Sequence, residues 1–221
     1  MAGTRMGDLL RELYQLLWNA FGPQGWWPGE TPFEVIMGAI LTQNTNWRNV
    51  AQALEALKDA ELLNPRDLRE MPEAELARWI RPAGYFNVKA RRVKNFLDFF
   101  AQRFQDSLEK MAGMDLEFLR AALLTVNGIG PETADSILLY ALDRPTFVVD
   151  AYTYRVLSRH QLAPEACSYE ELQSLFMENL PPEVSLYQEF HALLVRLGKE
   201  YCRPKPRCSS CPLHEWRLAG K

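Results

Sequence analysis

The chain has 221 residues, 48% of them hydrophobic and 24% charged, a composition that buries a globular core without covalent staples and excludes wholesale disorder. Its longest nearly unbroken apolar run, Val35 to Leu41, is far short of the ~20 residues of a membrane span, and the residues up to Asp8 lack the apolar block of a secretory signal, so a cytoplasmic protein is expected. With 25 Lys and Arg against 28 Asp and Glu, the net charge is −3, so any contact with nucleic acid must use local basic patches.

The helical period runs from end to end. Asp8 to Phe21 sets Leu9, Leu10, Leu13, Leu16 and Leu17 on one stripe, and the Gly22–Gly25 and Trp26–Gly29 segments break it. Further helices are expected over Thr31–Leu41, Asn46–Asp59, Glu73–Ile80, Asn87–Phe104, Asp115–Leu124 and Pro131–Ala141. The series continues with Ala151–His160, Tyr169–Met177 and Leu186–Gly198. Prolines stand near first turns at Pro32, Pro65, Pro72, Pro131 and Pro182. No stretch alternates at period two, and Thr146–Val149 is too short to found a sheet. The expected fold class is all-α. A seam at Asp143-Arg144-Pro145 divides it into a helical barrel, residues 31–146, and a second lobe of residues 1–30 with 147–221.

The segment Asn127-Gly128-Ile129-Gly130-Pro131-Glu132-Thr133-Ala134 carries chemistry. Two glycines one residue apart permit a tight turn with exposed amides, and a helix starting at Pro131 aims its N-terminal N–H groups at the same place, which suits a phosphate. Alone, Gly-x-Gly is also an ordinary helix–helix turn. Downstream, Val148-Val149-Asp150 opens another helix. A carboxylate there is an N-cap, and the helix dipole also stabilises its charge.

Gly-Ile-Gly-x-x-Thr-Ala with Val-Val-Asp downstream resembles the helix-hairpin-helix DNA glycosylases, of which endonuclease III is a member. The resemblance implies that the hairpin residues Gly128, Gly130 and Thr133 grip the DNA backbone. It also implies that Asp150 lies beside the sugar of a flipped-out nucleotide, where a fixed carboxylate stabilises positive charge as the N-glycosidic bond breaks. Members that nick DNA carry a lysine two residues past Gly-x-Gly. Here that position is Glu132, which cannot form an imine.

The resemblance extends to Trp26-Trp27-Pro28, to Leu41-Thr42-Gln43-Asn44-Thr45-Asn46-Trp47 and to Arg81-Pro82-Ala83-Gly84-Tyr85-Phe86. Together these look like the endonuclease III-type 3-methyladenine DNA glycosylases. By that likeness Gln43 fills the gap left by the flipped base, and Tyr85 is the wedge into the base stack. Trp26, Trp27 and Trp47 would sandwich a cationic alkylpurine by stacking and cation–π attraction; core packing is the other use of such rings. The run Arg78, Arg81, Lys89, Arg91, Arg92 and Lys94, with no acid between, would supply the DNA face, Lys89 and Arg91 foremost.

Cys202, Cys208 and Cys211 crowd the C-terminus in a segment that resembles the iron–sulfur loop of endonuclease III, implying a 4Fe–4S cluster. The first gap is five residues rather than six, and the fourth position is Arg217. Zinc held with His214, or no metal, are the alternatives. Cys167, His160 and His191 give no signal above ordinary packing.

The expected activity is monofunctional excision of alkylated purines, chiefly 3-methyladenine, from double-stranded DNA with a flipped damaged base, by a monomer at the nucleoid. The rivals are a glycosylase with lyase activity on oxidised pyrimidines and a non-catalytic helix-hairpin-helix DNA-binding protein.

Overall fold

The computed structural model describes residues 4–216, and among them there is no β-strand. Twelve α-helices follow one another: α1 (Arg5–Phe21), α2 (Pro32–Leu41), α3 (Trp47–Asp59), α4 (Pro65–Glu70), α5 (Glu73–Trp79), α6 (Phe86–Phe104), α7 (Leu108–Ala112), α8 (Leu116–Leu124), α9 (Pro131–Ser136), α10 (Ala151–Arg159), α11 (Tyr169–Met177) and α12 (Val184–Glu200). A π-helical turn, Ile137–Ala141, continues α9. None of these helices is long and apolar enough to cross a membrane.

Local chemistry sets many of the helix starts. Side chains of Thr4, Thr31, Asn46, Asn64, Ser107, Asp115, Asp150 and Ser168 each accept a hydrogen bond from an amide in the following turn, which satisfies donors that a helix leaves unpaired. Thr4 starts α1 three residues ahead of the expected Asp8. The short helices α4 and α7 are absent from the periodicity reading, because one or two turns expose too little of an apolar stripe to register. Every residue of α2 from Phe33 to Leu41 is buried, so the densest apolar run of the sequence is a central helix covered on all sides.

The chain divides into two compact units, Trp27–Arg144 and Met1–Trp26 with Pro145–Lys221. In the first unit, α2 lies against α3, α6, α9 and the π turn, and α5 packs along α6. In the second, α12 packs against α1 and α10. Thr146–Val149 is a buried extended lead-in to α10. There Phe147 stacks on Phe176 with ring centroids 3.8 Å apart and meets Phe190 edge-on.

Two of the basic residues expected on a DNA face are structural. Lys89 is 1% exposed, and its ammonium donates to the Ala83 carbonyl at 2.7 Å. Lys94 donates to the carbonyls of Leu68, Arg69 and Met71 at the end of α4. Both amines satisfy carbonyls that their helices and turns leave open, a use of lysine that charge counting cannot distinguish from a solvated face.

Burial, with Arg92 adding to it, pushes the Lys89 ammonium pKa down to about 8. Below pH 8 the amine is protonated in both folded and unfolded chains, and its burial weakens the fold. Between pH 8 and the ordinary lysine value the unfolded chain binds more protons, so this handicap lifts as pH rises. Lys89→Met should therefore compare most favourably with the parent at pH 7 and lose that advantage by pH 10. Urea unfolding at the two pH values checks this; an equal difference at both would show that Lys89 does not titrate with folding.

Candidate functional site

In the unit Trp27–Arg144, α8 and α9 form the expected hairpin. Its turn is tied by Val126 N–H to the Leu123 carbonyl and Ile129 N–H to the Val126 carbonyl. Gly128 sits at φ 97°, and a Cβ there would fall 2.3 Å from Cγ of Arg92. Glycine is required on both counts. Above Gly130 a Cβ would meet nothing within 4 Å, so its backbone is open to an approaching ligand. Beneath the turn, Arg120 of α8 grips the fully buried Asp135 of α9 through two hydrogen bonds of 2.8 and 3.0 Å. This bidentate pair fixes the two helices as one piece.

Thr133 is 6% exposed, and its hydroxyl accepts from Gln43 Nε2 at 2.9 Å. The same nitrogen donates to the Gly128 carbonyl at 3.0 Å, and Arg92 donates to Gln43 Oε1. The Thr133 hydroxyl is thus turned inward, and the Gln43 carboxamide lies on the hairpin. The reason is hydrogen-bond demand: a part-buried amide takes the partners within reach, and three of them converge at this point.

Tyr85 is 71% exposed. It follows Gly84 (φ 70°) and itself adopts the left-handed conformation, φ 48°, immediately before α6. A tyrosine in this region is held there by its surroundings. Here the Lys89 ammonium bonds the turn's Ala83 carbonyl, and Lys89 N–H bonds the carbonyl of Tyr85. Val88, one turn on, is 51% exposed. Arg78, Arg81 and Arg91 are also exposed, and Arg91 makes only a loose pair with Glu73 at 3.5 Å. The basic face consists of these three arginines beside Tyr85, with Lys89, Lys94 and Arg92 turned to internal duties.

Trp27 and Trp47 meet edge-on with centroids 5.3 Å apart, and Trp27 also lies 5.4 Å from Tyr140. Gly38 of α2 forms the floor: a Cβ there would come within 2.9 Å of Trp27 Nε1 and 3.2 Å of the Trp47 ring. Tyr140 belongs to the π turn, whose extra residue per turn re-aims its side chains, a feature frequent at functional sites. Nothing in the sequence spacing marks Tyr140, since periodicity assigns it to an ordinary helix.

In the other unit, Trp26 lies under the Lys199 ammonium, 5.5 Å from its centroid, and Lys199 is also 6.0 Å from the Tyr152 ring. Burial pushes the Lys199 pKa down, and Asp150 pulls in the opposite direction. Asp150 caps α10. Its Oδ1 accepts from Thr153 N–H at 2.7 Å and from the Thr153 hydroxyl at 2.9 Å, and its Oδ2 lies 3.6 Å from His191 Nε2. Burial pushes this carboxyl up, but His191 and the two Thr153 donors outweigh it and hold it below the ordinary carboxylate range. It is an anion at neutral pH. His191 was invisible to sequence reasoning because it stands 41 positions after Asp150.

The segment after α12 is braced by arginines of α10. Arg155 donates to the Cys202 and Gly198 carbonyls, and Arg159 to the Arg203 and Pro204 carbonyls and to Cys202 Sγ at 3.4 Å. Cys202 is buried, Cys208 exposed and Cys211 between these limits. Among the described residues, no three His, Cys, Asp or Glu side chains converge to hold a metal ion. The fourth position, Arg217, lies outside the described residues and is in any case not a thiol. The donor set does not fit a cluster held by four cysteines, and His214 is exposed without completing a zinc site. Protein purified without oxygen should carry less than one iron or zinc per chain, and chelation should leave its melting temperature unchanged. Four irons per chain with a broad absorption near ~400 nm would overturn this.

Residues 37–182 match the family model of the HhH-GPD superfamily of base excision DNA repair proteins. A protein of Methanocaldococcus jannaschii named as a DNA repair glycosylase is 46% identical over 214 residues, 96% of this chain and 97% of that protein. Endonuclease III of Escherichia coli K12 is 25% identical over 186 residues, 84% of this chain and 82% of that one. Among solved structures, the Helicobacter pylori 3-methyladenine DNA glycosylase bound to 1,N6-ethenoadenine shares 31% identity with a TM-score of 0.74, covering 89% of this chain and 98% of that one. An endonuclease III–DNA complex, at 21% identity and a TM-score of 0.81 over 97% and 99% of the two chains, shares the fold. The family match over residues 37–182 and the 46% identical relative agree with the helical hairpin described above, and this chain belongs to the HhH-GPD superfamily of base excision DNA repair proteins.

Proposed function

We propose that the protein is a monofunctional DNA glycosylase that removes alkylated purines, chiefly 3-methyladenine, from double-stranded DNA as a monomer. The observation that carries the substrate class is the aromatic cluster of Trp27, Trp47 and Tyr140 packed over Gly38. Electron-rich ring faces favour a flat cationic base over a neutral one. The named activity of the Helicobacter pylori relative supports the same reading.

In this reading Asp150 supplies charge. As the bond from C1′ to the ring nitrogen breaks, the electron pair leaves with the base, which departs neutral because it was already cationic. Positive charge develops on the sugar, where a buried anion lowers the barrier. Water then adds to C1′ and loses a proton, leaving an abasic site. Tyr85, Arg78, Arg81 and Arg91 engage the duplex, and Gln43 enters the vacated gap only by releasing Gly128 and Thr133. Glu132, exposed in the first turn of α9, has no amine to offer.

Incubating methylated duplex with the protein tests this. Free 3-methyladenine, with strand breaks appearing only after alkali, is the expected result. The rival reading of a glycosylase with lyase activity has one observation in its favour, the Lys199 amine over the Trp26 ring, on which Asp150 acts. Borohydride trapping of protein on DNA, abolished in Lys199→Ala, would establish that reading in place of the monofunctional one. Release of no base would leave the third possibility, a DNA-binding protein without chemistry.

The aromatic assignment has its own consequence. Trp47→Ala should slow single-turnover release of 3-methyladenine at least about tenfold while affinity for abasic-site DNA stays within about twofold, since stacking on one base is worth ~1–3 kcal/mol and phosphate contacts are untouched. Equal losses in the two assays would make Trp47 a packing residue.

A further inference from the structure

Asp150 uses one carboxylate oxygen as a helix cap, with both Thr153 donors on Oδ1. The other, Oδ2, points to His191 of α12 at 3.6 Å, ion-pair range rather than hydrogen-bond length. Both side chains are buried, 10% and 6% exposed for Asp150 and His191. The close approach of α10 and α12 depends on Gly198, where a Cβ would come within 2.4 Å of the Tyr152 ring. The imidazole is therefore delivered by the packing of two helices, and cap formation alone does not require it.

We propose that His191 is the positioning residue of Asp150, facing Oδ2 across the α10–α12 contact while Thr153 holds Oδ1. The proposal rests on the glycosylase reading for its effect on rate. A carboxylate tethered through one oxygen can swing about its terminal bond; contacts on both oxygens fix its plane and thus where its charge lies. The other titratable groups around the pair are Lys199 on α12, which acts on Asp150, and Tyr152 on α10, whose phenol is pushed up by burial and then by Asp150. From α1, Tyr14 lies against Phe190, and Glu189 acts on it. Removing His191 leaves Thr153 and Lys199 to oppose the desolvation of Asp150.

The test compares the parent with His191→Leu, which offers no N–H donor, and His191→Gln, which keeps one. The Asp150 carboxyl ¹³C titration, which needs no substrate, should move to higher pH in His191→Leu. Single-turnover release of 3-methyladenine should fall at least about tenfold, with the acid limb of its pH profile displaced upward. Affinity for abasic-site DNA should stay within about twofold, and His191→Gln should recover part of the rate. An unmoved titration, a parental rate in His191→Leu, or rate and affinity falling together with no recovery in His191→Gln would each overturn the proposal. If the parent itself releases no alkylpurine while the titration still moves, the glycosylase reading fails and the coupling of His191 to Asp150 stands.

Discussion

Asp150→Asn should lower base release by ~100-fold or more while leaving abasic-site DNA bound, because a single preorganised electrostatic group contributes on that order. This substitution separates the two uses of the residue. Asparagine caps a helix about as well as aspartate, so the amide oxygen can still accept from Thr153 N–H and hydroxyl, and α10 keeps its start. What disappears is the charge. The parent carboxyl is held below the ordinary range by His191 and Thr153 against its burial, so excision by the parent should persist into mildly acidic solution and fall only as pH drops through that depressed value. The same ionisation contributes folding stability, present above the ordinary carboxylate pKa and lost on acidification through the depressed one. Single-turnover assays with DNA-binding controls decide the matter; near-parental turnover in Asp150→Asn would remove Asp150 from the chemistry.

Asp135→Ala should destabilise the protein by about 3–5 kcal/mol, the range for removing one partner of a buried ion pair. Asp135 is fully buried and Arg120 only 18% exposed, joined through two hydrogen bonds, so the deletion takes both of these hydrogen bonds from a guanidinium held largely out of water. Replacing both residues together, as Arg120→Met with Asp135→Leu, should recover much of the stability, since no charge is then left unpaired. Chemical unfolding measures both variants. A loss below about 1 kcal/mol in Asp135→Ala would mean that water reaches the pair and that the hairpin is held by packing alone.

The two variants probe features of unequal visibility. Asp150 was legible because its role is local in sequence: an acid after an apolar run, opening a helix, at a fixed spacing from a glycine turn. The Arg120–Asp135 clamp carried no such mark, as both residues read as polar positions on amphipathic helices. Lys89 misled for a related reason. A lysine in a basic run has the same letter whether its amine reaches solvent or a carbonyl, and only the fold of the Gly84–Tyr85 turn brings Ala83 within 2.7 Å of it. Gln43 likewise stands at the position the family likeness indicates, yet its carboxamide partners come from residues 85 and 90 positions away.

By itself the sequence determined the all-α class, most helix boundaries, the hairpin turn and the capping carboxylate, because each depends on neighbours within one or two helical turns. Hydrophobic period, cap residues and the need for glycine at positive φ are short-range constraints written into consecutive residues. The tertiary structure alone decided that Trp27 pairs with Trp47 and Tyr140, that Trp26 lies with Lys199, that His191 faces Asp150 and that two lysines turn inward. These are contacts between residues distant in the chain. They follow from how helix faces pack and how buried polar groups find partners, and both are properties of the assembled core.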